Sequence, residues 1–303
     1  MTIKAILSYA GAILAMAAAS GNVRAGEPLV LAPGTGTVFI YGGSAKASRY
    51  YNLNGDLKRY DTNQTEFNAT TFGVTLRYGV IDNLELDVDI PVGYYSLTSK
   101  YRFPDRSLFS PSYYGVGATY QIGRGKVNGS ISSMVKIPPG FHNGIYDDPE
   151  HPSFLSDGYL QVTSTLNFGF TFNETWFKGN VGYNWRDEEP LDEIIYNAEI
   201  GLSKVEGTGI YAGCSGVVST GDVTQPLQPF YAGASGSTAE QLRIDGGRGR
   251  FSTIDRENFF AINAGAYVTL FDRYVIAGNY AVRLFGKNSL ALQGAYLGVG
   301  YNF

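Results

Sequence analysis

Between Thr70 and Tyr94 the residues alternate with a period of two, and this pattern limits the fold more than any other feature of the chain. Thr70, Phe72, Val74, Leu76 and Tyr78 share one face, which resumes after Ile81-Asp82-Asn83 with Leu84, Leu86, Val88, Ile90, Val92 and Tyr94. The other face carries Thr71, Gly73, Thr75 and Arg77, then Glu85, Asp87 and Asp89. Period two belongs to an extended strand rather than a helix. A soluble sandwich also alternates, but it buries its apolar face and scatters charge outside. Alternation by itself leaves both architectures open.

The number and spacing of such segments decide more. Comparable stretches recur near 36–49, 110–122, 127–138, 158–172, 176–186, 193–204, 209–220, 257–271, 274–286 and 290–303. With the first two they make about twelve, an even number as in single-chain outer-membrane barrels. Each supplies the roughly 9 to 11 residues that a tilted membrane strand needs. Connections at 79–83, 123–126, 173–175, 205–208 and 272–273 are tight, whereas 50–64, 98–109, 139–157, 187–192, 221–256 and 287–289 are mostly longer. With both termini on one side, every tight turn falls on that side, the asymmetry of periplasmic turns and external loops. Aromatics of the apolar face also cluster at strand ends. Tyr78, Tyr120, Phe172, Phe177, Tyr274 and Phe303 lie beside tight turns, and Tyr94, Tyr114, Trp185, Tyr196 and Phe260 beside longer connections, which makes two interfacial girdles. The expected fold is all-β, a transmembrane antiparallel up-and-down β-barrel of about 12 strands. A count of 14 stays open, because 221–256 has room for another hairpin near Arg243 to Phe251.

Composition narrows the alternatives. Only 17% of the 303 residues are charged, with 39 Gly and 23 Tyr, which suits a strand-rich chain. A net charge of −4 supplies no basic face, so no nucleic-acid partner is expected. The one cysteine, Cys214, rules out an intramolecular disulfide. After the first 25 residues no apolar run is long enough for a membrane helix. Those first residues read as a signal peptide: Lys4, an apolar run from Ala5 to Ala19, and small residues around Val23-Arg24-Ala25. The expected domains are therefore a signal peptide at 1–25 and a barrel at 26–303.

The last strand ends in Tyr301-Asn302-Phe303. It resembles the terminal strand of bacterial outer-membrane barrels, whose final aromatic is read by the barrel-assembly machinery. That resemblance implies Tyr301 and Phe303 as the assembly signal, and the outer membrane of a diderm bacterium as the destination. Across about 65 to 303 a second resemblance appears. The segments Arg77-Tyr78-Gly79-Val80-Ile81-Asp82-Asn83-Leu84-Glu85-Leu86, Lys136-Ile137-Pro138-Pro139-Gly140 and Ser156-Asp157-Gly158 are similar to the outer-membrane proteins of the "meta-pathway of phenol degradation" family, a transporter-like group. It implies uptake of aromatic compounds but carries over no binding or catalytic residue.

Chemistry other than transport finds little support. His142 and His151 are the only histidines, both in the 139–157 connection, and no serine near them has a nucleophile's setting. Asp147-Asp148-Pro149-Glu150-His151 reads as a solvated loop before it reads as a calcium site. Gly123-Arg124-Gly125 and Gly246-Gly247-Arg248-Gly249-Arg250 read as turns, since neither joins a strand to a helix. No catalytic, cofactor or metal residue is assigned, and no enzyme activity is expected.

The face opposite the apolar one is the informative one. By parity it carries Arg77, Glu85, Asp87, Asp89, Lys136, Lys178, Arg186, Glu199 and Arg283, the expected lumen-lining residues, among hydroxyls and amides such as Asn128, Ser132, Thr163, Thr165, Asn167, Asn180 and Asn197. Opposite charges on neighbouring strands are expected mostly to pair as filling, with a solute-orienting charge ring as the functional alternative. Inward Gly73, Gly93, Gly115, Gly117, Gly169, Gly182 and Gly201 are read as leaving open space. The expected function is an outer-membrane channel for passive uptake of small molecules, aromatic or hydrophobic compounds among them. Its alternatives are a closed structural or partner-binding barrel and, behind that, a membrane lipid hydrolase. The implied partners are outer-membrane lipids and lipopolysaccharide, the assembly machinery and a small-molecule solute.

Overall fold

The computed structural model describes residues 30–51, 54–59, 65–99, 106–138, 160–187, 192–203, 205, 207–220, 258–287 and 289–303. The expected signal peptide, His142, His151, the acidic 147–151 segment and all of 221–256, Gly246–Arg250 included, lie outside the described residues.

The strands are β1 (Gly36–Ala47), β2 (Arg49–Tyr51), β3 (Leu57–Arg59), β4 (Thr65–Ile81), β5 (Leu84–Ser99), β6 (Arg106–Pro111), β7 (Tyr114–Gly123), β8 (Val127–Ile137), β9 (Gln161–Phe172), β10 (Thr175–Arg186), β11 (Glu193–Leu202), β12 (Thr208–Ser219), β13 (Asn258–Leu270), β14 (Tyr274–Lys287), β15 (Ser289–Leu290) and β16 (Gln293–Asn302). Twelve of them form one closed antiparallel ring in chain order: β1, β4, β5, β7 to β14 and β16. The ring closes where β16 pairs β1, from Thr37 opposite Asn302 to Lys46 opposite Gln293. Because β12 pairs β13 directly, from Thr208 opposite Val268 to Val217 opposite Phe259, no further hairpin stands between them. The fourteen-strand alternative is thereby excluded. β6 continues the line of β7 along β5, the two being parted at Ser112 and Tyr113, where the Ser112 N–H donates to the Pro91 carbonyl at 2.8 Å.

The outer face explains why this sequence closes on itself. Ile40 is 60% exposed, Leu297 61%, and Val116 and Ile200 56% each, on strands whose alternate residues are buried. A continuous belt of exposed aliphatics surrounds the barrel and suits hydrocarbon, and closure leaves no strand edge unpaired there. Tyr78, Tyr120, Phe172, Tyr274 and Phe303 are exposed at the turn end, and Tyr94, Tyr114 and Trp185 at the loop end. The turns themselves are short. Between β13 and β14 the Arg273 N–H donates to the Leu270 carbonyl at 3.1 Å, with Phe271 and Asp272 both left-handed. Cys214 points outward on β12 and is half-buried.

A small sheet, β15–β2–β3, stands beyond the barrel at the loop end and was not foreseen from the sequence. Strands of two or three residues have no period to read. Tyr51 fastens it, donating its hydroxyl to the Leu284 carbonyl at 2.5 Å. Burial pushes this phenol's pKa up, with Arg49 opposing.

At the turn end the chain enters β1 from inside the barrel. Ala32-Pro33-Gly34-Thr35 is a β-turn closed by the Thr35 N–H on the Ala32 carbonyl at 3.1 Å, with Gly34 at φ 76°. Pro then Gly at the two central positions is what a type II turn requires.

Candidate functional site: the barrel interior

The charged residues expected on the inner face all lie in its buried or half-buried row. Arg77 sits between two carboxylates, 2.5 Å from Glu85 Oε1 and 3.4 Å from Asp87 Oδ1. These pairs follow from register, since Arg77 is directly opposite Asp87 and Gly79 opposite Glu85. Asp89 is held differently. Its carboxylate accepts from the Tyr113 hydroxyl at 2.7 Å, Thr75 at 2.9 Å and Tyr41 at 3.3 Å. Lys136 stands 5.4 Å above the Tyr113 ring, and so faces the acidic group through that ring.

Across the barrel Lys178 and Glu199 are direct cross-strand partners with Nζ 2.9 Å from Oε2, and Glu199 is 1% exposed. The same ammonium lies 5.1 Å from the centre of the Trp176 ring and 6.0 Å from Tyr211. Arg186 pairs Glu193 at 3.2 Å, and the Asn184 amide donates to that carboxylate. The Arg283 guanidinium lies 3.6 Å from the Phe259 ring centre. Paired filling therefore describes Arg77, Glu85, Asp87, Lys178, Arg186 and Glu199, while hydroxyls and rings hold Asp89, Lys136 and Arg283.

Two of the glycines expected to leave open space, Gly73 and Gly201, are slots for rings, which corrects the reading of those two. A Cβ on Gly73 would come within 2.2 Å of the Tyr41 ring, and one on Gly201 within 2.3 Å of Trp176. Gly209 and Gly265 receive Tyr267 and Tyr211 in the same way. Each such glycine lies directly opposite its ring in register: Tyr41 with Gly73, Trp176 with Gly201, Tyr211 with Gly265, Tyr267 with Gly209. Gly117 and Gly182 are closed by neighbouring backbone carbonyls at 2.9 and 2.5 Å from the notional Cβ. The rings themselves, Phe39, Tyr41, Trp176, Tyr211 and Tyr267, form the buried cluster of the interior. Sequence reading sought aromatics only on the apolar face and missed them. Their signal was available: an inward aromatic whose neighbour across the strand is glycine.

The interior thus has two unlike walls. From β12 through β16 to β1 and β4 it is packed with rings and small residues. Along β8 to β11 it is polar apart from Trp176 near the turn end of β10, and Asn128, Ser132, Thr163, Thr165, Asn167, Asn180 and Asn197 stay half-accessible. Their hydrogen bonds run across strands: Asn167 donates to Ser132 at 2.8 Å, and Thr119 and Ser132 share one at 2.9 Å.

At the turn end the segment before β1 lies over this interior. Val30 is fully buried and its N–H donates to the Gln121 side chain at 3.2 Å. The Leu31 N–H donates to Glu85 Oε2 at 2.9 Å. A Cβ on Gly79 would meet the Ala32 carbonyl at 2.2 Å, so the segment crosses β4, β5 and β7 on their inner side. Only the turn residues Pro33-Gly34 mark this segment in the sequence.

At the C-terminus Tyr301 stacks on Phe303 with centroids 6.3 Å apart and lies tilted against Tyr274 at 5.2 Å, and Phe303 covers Gly36. The aromatic end therefore helps to close the first strand on the last.

No protein-family model matches the chain, and no curated protein sequence matches it. Among solved structures it is similar to the translocator domain of the autotransporter NalP from Neisseria meningitidis, at TM-score 0.50 and 10% identity over 99% of this chain and 96% of that one. It also aligns with the β domain of the Bordetella autotransporter BrkA, at TM-score 0.49 and 12% identity over 89% and 100%. A looser match is an anion-selective porin from Comamonas acidovorans, at TM-score 0.34 and 9% identity over 88% and 100%. At such identities the likeness is one of fold, that of bacterial outer-membrane β-barrels.

Proposed function

We propose that the protein is a narrow outer-membrane channel through which small molecules diffuse passively. The observation that carries this reading is the half-accessible strip of hydroxyls and amides along β8 to β11, inside a closed barrel whose outer face is apolar. A barrel that served only as a wall would gain by packing that strip as it packs β12 to β14, since buried polar groups contribute little net stability. Filled rings on the other side keep the bore smaller than twelve strands alone would set. A path with amides along one side and ring edges along the other suits flat molecules that carry a polar edge. That is consistent with the aromatic uptake implied by the resemblance of 77–86, 136–140 and 156–158.

The test is single-channel recording of the refolded barrel in a planar bilayer. Discrete conductance steps, interrupted by brief blocks on adding a small aromatic carboxylate, are expected. A folded barrel that gives no steps favours the closed structural reading, for which the packed aromatic wall speaks.

A further inference from the structure

We propose that residues 30–35 are a stopper seated in the turn-side end of the barrel, and that passage through the lumen requires it to withdraw. The inference rests on the channel reading above but concerns a different part of the molecule. Three features of the segment argue for it.

The first is what holds it. Two consecutive backbone N–H groups, those of Val30 and Leu31, are taken up by inward side chains of two different strands, Gln121 on β7 and Glu85 on β5. Gln121 is aimed for this, because its amide nitrogen donates to the Gly123 and Gly129 carbonyls at 2.7 and 3.2 Å, which leaves its oxygen turned to Val30. A segment lying there merely by chance would not find two buried side-chain acceptors in sequence. The second is how it fits. The Val30 side chain has no exposed surface, and Ala32 lies against a strand position that only glycine can occupy, since any Cβ on Gly79 would collide with its carbonyl.

The third is that it can leave without breaking the wall. Glu85 gives Oε1 to Arg77 and Oε2 to Leu31, so the salt bridge survives when the segment departs. The Ala32–Thr35 turn supplies the hinge, where Gly34 is left-handed with nothing near its Cβ position. At the hinge two backbone bonds tie the segment to β4, the Gly34 N–H donating to the Gly79 carbonyl at 2.8 Å and the Gly79 N–H to the Thr35 carbonyl at 2.9 Å. The stopper is therefore held at Val30 and Leu31 by two side-chain acceptors and at its root by a turn and two backbone bonds to β4.

The experiment places a thiol on the stopper and alters the barrel wall only at Cys214. In a Cys214→Ser background, Val30→Cys should react with a soluble maleimide at least about tenfold more slowly in the folded barrel than in urea, as a buried group exchanging by local opening does. Adding Leu31→Pro, which deletes the N–H that Glu85 accepts, should raise that rate about tenfold while the heat-modifiable band of the folded barrel persists. In planar bilayers the Val30→Gly/Leu31→Pro protein should show several-fold higher open probability than the unaltered protein. A folded Val30→Cys barrel that labels as fast as the unfolded chain overturns the stopper. So does equal, measurable conductance in the two proteins, which leaves the channel reading standing. Absence of conductance in both, with residue 30 reactive, overturns stopper and channel together.

Discussion

Gly201→Ala would test whether the interior is built by setting rings onto glycines. A Cβ at residue 201 would stand 2.3 Å from Cε2 and Cζ2 of Trp176 and 2.7 Å from its Nε1. Ordinary carbon contacts begin near 3.5 Å, so the indole must move by about an ångström. Room for it is poor, because the ring is 5% exposed, tilted against Tyr211 at 6.0 Å and covered by Lys178 at 5.1 Å. Forcing a methyl into such packing costs about 1–3 kcal/mol, and alanine recovers about 0.5–1 kcal/mol of strand entropy, for a net loss of about 1–2 kcal/mol. Gly278→Ala is the control, since its nearest neighbours would lie at an ordinary 3.7 Å, and it should be neutral or slightly stabilising. Urea titration in lipid vesicles, followed by the heat-modifiable band, measures both. Trp176→Ala should remove the clash, so the double variant should show a coupling of about 1–2 kcal/mol relative to the two singles. Equal costs at the two glycines, or additivity in the double, would refute the reasoning.

Lys178→Met should destabilise by about 3–5 kcal/mol in the same titration, because it strands the buried Glu199 carboxylate; Glu199→Gln should cost clearly less, since Lys178 keeps 21% exposure and two ring faces. Val88→Arg, on the outward face, should cost about 2–4 kcal/mol if it lies at the bilayer midplane, and Asp87→Asn, one residue away and inward, much less; a reversed order in urea midpoints would show the face assignment to be wrong. Deleting Phe303, which covers Gly36 and stacks on Tyr301, should lower the yield of heat-modifiable barrel in the outer membrane while export across the inner membrane continues, as fractionation and blotting would show.

The ring of strands was legible because each strand repeats the same two-residue pattern over ten or more residues, and the parity it sets survives errors at strand ends. β9 starts at Gln161 rather than at 158, yet no inward residue changes face. Pairing was less legible, since it needs register as well as parity. Lys178 opposite Glu199 could be guessed from neighbouring strands, but that Asp89 would be held by Tyr41, Thr75 and Tyr113 could not, because hydroxyls carry no sign to match. The glycines misled for a related reason. Read alone, a glycine is a gap; read against the strand beside it, Gly73 is the floor under Tyr41. Val30 and Leu31 lie in no periodic segment at all, and their role depends on acceptors 54 and 91 residues away.

Charge and packing in this interior meet at Asp89. Removing its side chain would change the field in the lumen and would also loosen Tyr41 and Tyr113, the two rings whose hydroxyls it accepts. Asp89→Ala should therefore both weaken cation preference and enlarge the conductance, while Tyr113→Phe, which frees one ring and keeps the carboxylate, should enlarge conductance with selectivity retained. Asp89→Asn stands between them, because an amide oxygen still accepts from a hydroxyl without the charge that raises local cation concentration. It should weaken cation preference with little change in conductance. Reversal potentials across a salt gradient separate the two quantities. If Asp89→Asn and Asp89→Ala alter conductance alike, the rings do not depend on that carboxylate; if Tyr113→Phe shifts the reversal potential as much as Asp89→Asn does, charge at residue 89 is not what the passing ion feels.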